Sequence, residues 1–311
     1  MTEVIAYLFP GQGSQSVGMG KELAENYPVA RQIFAQADRI LEFSISMLAW
    51  EGPEADLNDT INTQPALLVH SAAVLAVLQD NYPQLKPRFA AGHSMGELSA
   101  LVAAGALSFA EALQLVRRRG ELMKKAGEVN PGGMAAILGL DISTLEKVCK
   151  EASWEGEVVQ IANDNCPGQV VISGNSQALE RAIKFAQQAG ARRAKALAVS
   201  IAAHSPLMLH AQSEFNQAVE AAPIDDPTIP MIGNISAQPL ETRAQIRSDL
   251  QGQLTSPVRW TESIQYMVAH GVTQFLELGS GSVLTGLLKR ITDQATGFAI
   301  GTPADLEKLI P

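Results

Sequence analysis

The sequence predicts an α/β fold. A large domain is built on a mostly parallel sheet flanked by helices, and it carries a small inserted ferredoxin-like domain (βαββαβ). Three observations predict this. Short apolar runs alternate with longer helix-forming runs toward both ends of the chain, the pattern of a parallel sheet with covering helices. The break Asn130-Pro131-Gly132-Gly133 opens a stretch whose rhythm is strand, helix, strand, strand, helix, strand. A short apolar run at 89–91 enters a glycine turn and leaves it into a run of small helix formers.

Residues 4–9 are apolar and stop at Pro10-Gly11, which reads as a buried strand. Residues 63–80 are rich in Ala, Leu and Val and long enough for a helix. After the strand at 89–91 comes Gly92-His93-Ser94-Met95-Gly96, then a helix over 97–107. Ser108-Phe109-Ala110-Glu111 has the form of a capping box and opens a helix to about 126. Past the break, strands are expected at 134–140, 158–162, 169–173 and 194–199, with helices at 142–152 and 177–189. The small domain is therefore placed at 130–199, and the large domain at 1–129 and 200–311. In the last part, 205–222 is helical, 231–235 a strand, and helices run to about 270. A strand at 274–278 leads through Gly279-Ser280-Gly281 into a helix ending near 291.

Composition narrows the function. The 311 residues carry 23 basic and 32 acidic side chains, a formal net charge of −9. That argues against a general nucleic-acid binder, which needs excess positive charge to displace counterions from phosphates. Cys149 and Cys166 are too few for a disulfide framework or a four-cysteine zinc site, and a reducing compartment is the simple reading. No apolar run approaches the roughly 20 residues that span a bilayer. Residues 1–5 lack the basic region and apolar core of a signal peptide. The expectation is a soluble, cytoplasmic protein with no membrane association.

Gly92-His93-Ser94-Met95-Gly96 matches G-x-S-x-G, in which the glycines permit a strained strand-to-helix turn that lifts a serine hydroxyl to the edge of a sheet. The following helix points free N–H groups at the site, and the N–H of Met95 can meet a developing oxyanion. Such a serine needs a base. Of five histidines, His93 should point away from the serine, His70 lies mid-helix in an apolar run, His270 ends a helix and His210 lies within one. His204 sits at a strand-to-helix junction, where such sheets place their chemistry, and is chosen as the base.

On a helical wheel of the helix from Ser108, Ala112, Leu115, Val116, Leu122, Met123 and Ala126 share a broad face, and Arg119 falls near its middle. A guanidinium there must find a partner, because an unpaired buried charge is costly. Pattern alone leaves two partners open: an internal carboxylate, or a substrate carboxylate held bidentately. The loop Phe9-Pro10-Gly11-Gln12-Gly13-Ser14-Gln15 lacks the third glycine of a dinucleotide fingerprint, having Ser16 in its place. Whether it supplies a second oxyanion N–H, from Gln12, stays open at this level.

These residues, with Arg119-Gly120, Asn163-Asp164-Asn165-Cys166-Pro167-Gly168-Gln169, His204-Ser205 and Gln253-Leu254, resemble the malonyl-CoA:acyl-carrier-protein transacylases in order and spacing over nearly the whole chain. The resemblance implies a hydrolase-like large domain with the ferredoxin-like insertion. It implies Ser94 as nucleophile, His204 as general base, and backbone N–H groups of Gln12 and Met95 as the oxyanion hole. It implies that the backbone carbonyl of Gln253 orients His204, and that Arg119 binds the malonyl carboxylate. Gln12, Asn163 and Asn165 would line the substrate cleft. Malonyl-CoA and an acyl carrier protein would be the partners, with phosphopantetheine supplied by the carrier. No metal or tightly bound cofactor is implied, and a monomer is expected. Lys289-Arg290, Arg192-Arg193-Lys195 and Lys124-Lys125 are candidate basic spots for an acidic carrier.

Ala202, Ala203, Ser280 and Ser282 depart from the usual residues at their positions. Extender choice in related polyketide acyltransferases varies near Ala203, so malonyl over methylmalonyl is the expectation there. Three rival readings remain. One is an acyl hydrolase or esterase, for which a carboxylate clamp has no use. Another is a trans-acting polyketide acyltransferase of other extender specificity. The last is a non-catalytic carrier-docking subunit, which the intact Ser94, His204 and Arg119 disfavour.

Overall fold

The computed structural model describes residues 3–309. The predicted large-domain segments extend to 1–2 and 310–311, and the start of the N-terminal signal-peptide reading falls on 1–2; those positions lie outside the described residues.

Among the described residues ten strands form two sheets. They are β1 (Ile5–Phe9), β2 (Pro87–Gly92), β3 (Gly132–Leu138), β4 (Val159–Cys166), β5 (Gln169–Asn175), β6 (Arg193–Ala196), β7 (Met231–Ile232), β8 (Pro239–Leu240), β9 (Gln274–Leu278) and β10 (Thr296–Ile300). The first sheet has the order β10-β9-β1-β2-β7-β8 and is parallel except for β8. The second has the order β4-β5-β3-β6 and is antiparallel throughout. The α/β class, the mostly parallel sheet and the ferredoxin-like order agree with expectation.

Burial explains why each run takes its place. All five residues of β1 are buried, as a strand covered on both faces requires. β3 instead alternates between half-buried and buried positions, because helices cover one face only. Those helices, Ile142–Ala152 and Ser176–Gln188, place Leu145, Val148, Ala178 and Ala182 against Ala135, Ile137 and Ile172. The main core lies between β1, β2 and the helices Thr60–Asn81 and Phe109–Val129. A smaller cluster on the other face of the first sheet joins Leu8, Phe89 and Phe275 to Trp260 and Leu288.

Several local expectations need correction. The helix Thr60–Asn81 is long and apolar enough to cross a membrane by composition, contrary to the sequence reading. It is a core helix, with 83% of its apolar window buried. Ser108 caps Phe109–Val129 by accepting from the Glu111 N–H, but Glu111 binds the Ser108 hydroxyl instead of closing a full capping box. The strand expected at 231–235 stops at Ile232, since the chain leaves the sheet at Gly233 and turns Asn234 inward. The strand expected at 194–199 is Arg193–Ala196. β8 and β10, both at edges, were not anticipated.

Parallel strands deliver their carboxyl ends to one edge, where α/β sheets place ligands. Phe9 of β1 pairs with Gly92 of β2, so the 10–15 loop and the serine turn emerge side by side. The second sheet is tied beside them. The Asp164 N–H donates to the Val258 carbonyl (2.9 Å) and the Val258 N–H to the Ala162 carbonyl (2.8 Å). A cleft thus forms between the edge of the first sheet and β4–β5.

Ile172 is fully buried at the centre of the second sheet's core. Ile172→Ala should destabilise the protein by about 2–5 kcal/mol, the cost of an unfilled core site. Chemical denaturation followed by circular dichroism measures it.

Candidate active site

The turn after β2 is built by two close approaches. A Cβ on Gly92 would lie 1.9 Å from the Gly96 carbonyl oxygen, and one on Gly96 would lie 2.3 Å from the Phe9 carbonyl oxygen. Only glycine fits either position. Between them Ser94 has φ 53°, a left-handed conformation that costs a non-glycine residue strain. Asn234 pins the strained turn, accepting the Ser94 N–H (2.8 Å) on its Oδ1 and donating from Nδ2 to the Gly92 carbonyl (2.7 Å).

His204 Nε2 lies 2.8 Å from Ser94 Oγ. Its Nδ1 faces the carbonyls of Gln253 (2.9 Å) and Ser256 (3.2 Å). Two acceptors at Nδ1 require the proton there, which leaves the Nε2 lone pair for the serine hydroxyl. His204 also has a left-handed backbone, φ 58°, and Gln160 Nε2 holds its carbonyl at 2.8 Å. Burial first, and the Arg119 charge second, push His204 down to about 3. The imidazole is therefore neutral at physiological pH and able to accept a proton.

Arg119 is 1% exposed. Its Nη2 donates to Ser94 Oγ (3.1 Å) and to Gln253 Oε1 (2.9 Å), and its Nε also reaches Gln253 Oε1 (3.2 Å). Its Nη1 donates to Gln64 Oε1 (2.8 Å) and Met123 Sδ (3.1 Å). Every one of these partners is neutral. The internal carboxylate left open by the wheel is not what Arg119 bonds, and its positive charge faces the serine uncompensated. Burial lowers its pKa to about 10, which still leaves it charged.

The cleft over these groups has a volume of about 1060 Å³ and is lined by Gln12, Ser94, Met95, Arg119, Asn163 and His204, among others. Among the described residues, neither the Gln12 N–H nor the Met95 N–H meets an acceptor. Both residues line the cleft. Thr60 holds the Gln12 side chain (2.8 Å). Asn163 lies at the cleft and is 6% exposed. Asn165 Oδ1 meets His93 Nε2 (2.8 Å), and the His93 ring packs against Trp260.

The other histidines are accounted for. His70 is buried with Nε2 on the Gly301 carbonyl (2.9 Å), His210 pairs with Glu214, and His270 ends a helix stacked on Tyr266. Of the basic spots, Lys124 and Lys125 are engaged by Asp59 and Glu214, while Arg290 bonds Gln169 and the Pro167 carbonyl. Gln64, Gln160 and Asn234 escaped the sequence reading. Gln64 could have been found as Arg119 was, as a polar side chain inside an apolar helix. Among the described residues no group of three His, Cys, Asp or Glu side chains could hold a metal ion.

The chain is similar to known proteins over nearly its whole length. The acyl transferase domain family matches residues 6–304. The chain is 47% identical over 306 residues to a malonyl CoA-acyl carrier protein transacylase of Bacillus subtilis, covering 98% of this chain and 96% of the relative. It is 45% identical over 301 residues to the protein of that name from Escherichia coli K12, covering 96% of each. An acyl carrier protein S-malonyltransferase from Vibrio cholerae superposes with a TM-score of 0.95 at 44% identity, covering 98% of this chain and 99% of that one. A malonyl-transacylase solved with its type II polyketide synthase acyl-carrier protein superposes equally well, at 0.95 and 42% identity, covering 98% of both chains.

A base acts in its deprotonated form, so a lowered pKa keeps it active to lower pH. The rate at which a fluorophosphonate probe labels Ser94 should stay level as pH falls through about 6.5, the ordinary histidine value. It should decline only toward the value near 3. In Arg119→Ala the opposing charge is gone, and the acid limb should move upward. Labelling rates across a pH series for both proteins measure this.

Proposed function

The chain belongs to the malonyl CoA-acyl carrier protein transacylase family, and from that premise we propose that Ser94 and His204 carry malonyl between two thiols while Arg119 holds its free carboxylate. The protein is an acyltransferase that moves malonyl from malonyl-CoA to acyl carrier protein in fatty-acid or polyketide synthesis. The acceptor in our reading is the phosphopantetheine thiol that the carrier itself supplies. We assign residues 1–129 and 200–311 to the catalytic domain and 130–199 to the small domain. We expect a monomer, and we place it in the cytoplasm.

In the first half-reaction Ser94 Oγ attacks the thioester carbonyl and its proton passes to His204 Nε2. The carbonyl oxygen becomes an oxyanion held by the N–H groups of Gln12 and Met95. As the tetrahedral species collapses the C–S bond breaks, and His204 returns the proton to the departing coenzyme A sulfur. Malonyl remains as an ester on Ser94. In the second half-reaction the carrier thiol gives its proton to His204 and attacks the ester, and Ser94 leaves with that proton restored. The sequence is ping-pong. The Gln253 carbonyl orients His204 and favours its protonated form without adding a negative charge. We give Gln12, Asn163 and Asn165 roles in lining the cleft, with Asn165 acting through His93.

The observation that carries this reading is the buried, uncompensated Arg119 guanidinium 3.1 Å from Ser94 Oγ. It would hold the acyl carboxylate beside the nucleophile. An esterase acting on neutral acyl groups has no use for it.

Intact-protein mass after brief mixing with malonyl-CoA should show a malonyl increment on Ser94 that passes to a holo carrier protein. Decay to free malonate without loading the carrier would instead mark a hydrolase. Ser94→Ala should form no acyl-enzyme, and full transfer by that variant would sink the mechanism. Arg119→Ala should lose roughly 10- to 100-fold in kcat/KM for malonyl-CoA, the worth of a charge-assisted bond. Relative preference should shift toward uncharged acyl-CoA, and unchanged malonyl kinetics would make Arg119 structural.

A further inference from the structure

A chain of hydrogen bonds runs from Arg119 to the loop that carries Gln12, and its middle links are Gln64 and Thr60, which take no part in the mechanism above. Arg119 Nη1 donates to Gln64 Oε1 (2.8 Å). Gln64 Nε2 donates to Thr60 Oγ1 (3.0 Å), and Thr60 Oγ1 donates to Gln12 Oε1 (2.8 Å). Gln64 Nε2 also reaches Met123 Sδ (3.4 Å). Gln64 is fully buried and Thr60 is nearly so.

The direction of each bond follows from where the chain starts. A guanidinium has donors only, so Gln64 must turn its oxygen to Arg119 and its nitrogen to Thr60. The Thr60 oxygen is then an acceptor, and its one proton is left for Gln12. Gln12 must answer with its amide oxygen. One cation thus orients a hydroxyl and two amides.

Close backbone approaches hold the chain together. Thr60 is the first residue of the helix Thr60–Asn81, capped by Asp59, and Gln64 lies one turn on, along the same face. The helix that carries Arg119 comes closest at Gly120, where a Cβ would lie 2.9 Å from the Thr60 carbonyl oxygen. At the other end, a Cβ on Gly11 would lie 2.6 Å from the His93 carbonyl oxygen, so the Gln12 loop sits hard against the serine turn. A second tie joins the same two segments. The Gly13 N–H donates to Gln15 Oε1 (2.7 Å), and Gln15 Nε2 donates to Asn58 Oδ1 (2.8 Å).

We propose that Thr60 is a positioning residue that couples the carboxylate clamp to the oxyanion hole: through Gln64 it steadies Arg119, and through the Gln12 side chain it fixes where the Gln12 N–H stands. Thr60 moves no proton in the reaction. The acyl carboxylate and the thioester carbonyl are then placed by one connected frame. The proposal rests on the roles assigned above to Ser94, His204, Arg119 and Gln12.

Thr60→Val keeps the shape of the side chain and removes its hydroxyl. Rates of acyl-enzyme formation with malonyl-CoA and with acetyl-CoA, read by intact mass, separate the two arms of the chain. The maximal rate should fall roughly tenfold with both substrates, from loss of the bond that holds an oxyanion donor. The half-saturating concentration should rise about three- to tenfold with malonyl-CoA alone, because only malonyl uses Arg119. Thr60→Ser keeps the hydroxyl and should bring every value back to within about twofold of wild type. Wild-type kinetics in Thr60→Val, or a Thr60→Ser as impaired as Thr60→Val, would overturn the proposal. So would an equal rise in half-saturation with both substrates, which marks general damage to the cleft. If Thr60→Val does not fold, Gln12→Ala cuts the chain at its exposed end. Loss of preference for malonyl over acetyl in that variant would support the coupling, and an unchanged preference would overturn it. A wild type that takes up no malonyl would be a failure of the functional assignment instead. Fluorophosphonate labelling of Ser94 would then still test the Thr60 bond to Gln12: it should slow several-fold in Thr60→Val and recover in Thr60→Ser, and equal labelling in all three proteins would overturn it.

Discussion

Burying Arg119 is the constraint around which the rest of the site is arranged. A guanidinium sealed from water needs donors satisfied on every side, and a carboxylate would satisfy them at the cost of its charge. Here Gln64, Gln253, Met123 and Ser94 share that work, and all are neutral. The fold supplies them from different parts of the chain. Gln64 comes from the core helix Thr60–Asn81, Met123 from one turn beyond Arg119, and Gln253 from the end of a helix in the last third of the chain. Packing of these helices against one another therefore also fixes the polar geometry.

The same charge disciplines the base. His204 is buried beside a fixed cation, so its protonated form is doubly disfavoured. It rests neutral, with its tautomer set by the carbonyls of Gln253 and Ser256. An anionic acyl group bound at Arg119 would cancel part of that penalty, and His204 would accept the Ser94 proton more readily. In the proposed mechanism, substrate charge and base strength are thereby coupled through one guanidinium.

Much of this was legible in the sequence where a rule of local geometry applies. Gly92 and Gly96 announce the turn because nothing larger fits, and Arg119 announces itself by standing on an apolar face. β9 and the helix Ile142–Ala152 have unambiguous patterns and fell where expected. What was not legible depends on contacts distant in sequence. β10 is an edge strand with a glycine and alternating exposure, weak as a strand signal. Asn234 reads as an ordinary polar residue after a strand, and only the early exit of the chain at Gly233 brings it to Ser94. Glu97 reads as a surface acid on a helix, and only the fold shows it buried with Gln253 as its partner.

The orienting group behind His204 follows from the same constraint. Many serine sites place a carboxylate there, which steadies the imidazolium as it forms. In this protein such a carboxylate would stand at Gln253, whose side chain accepts two bonds from Arg119. A negative charge at that position would pair with the guanidinium and leave nothing for an acyl carboxylate. A backbone carbonyl orients the imidazole and offers a dipole without that loss. The amide of Gln253 and the carbonyl behind His204 thus meet one requirement. Each surrounds Arg119 with neutral partners, which in the proposed mechanism leaves its charge to the acyl carboxylate.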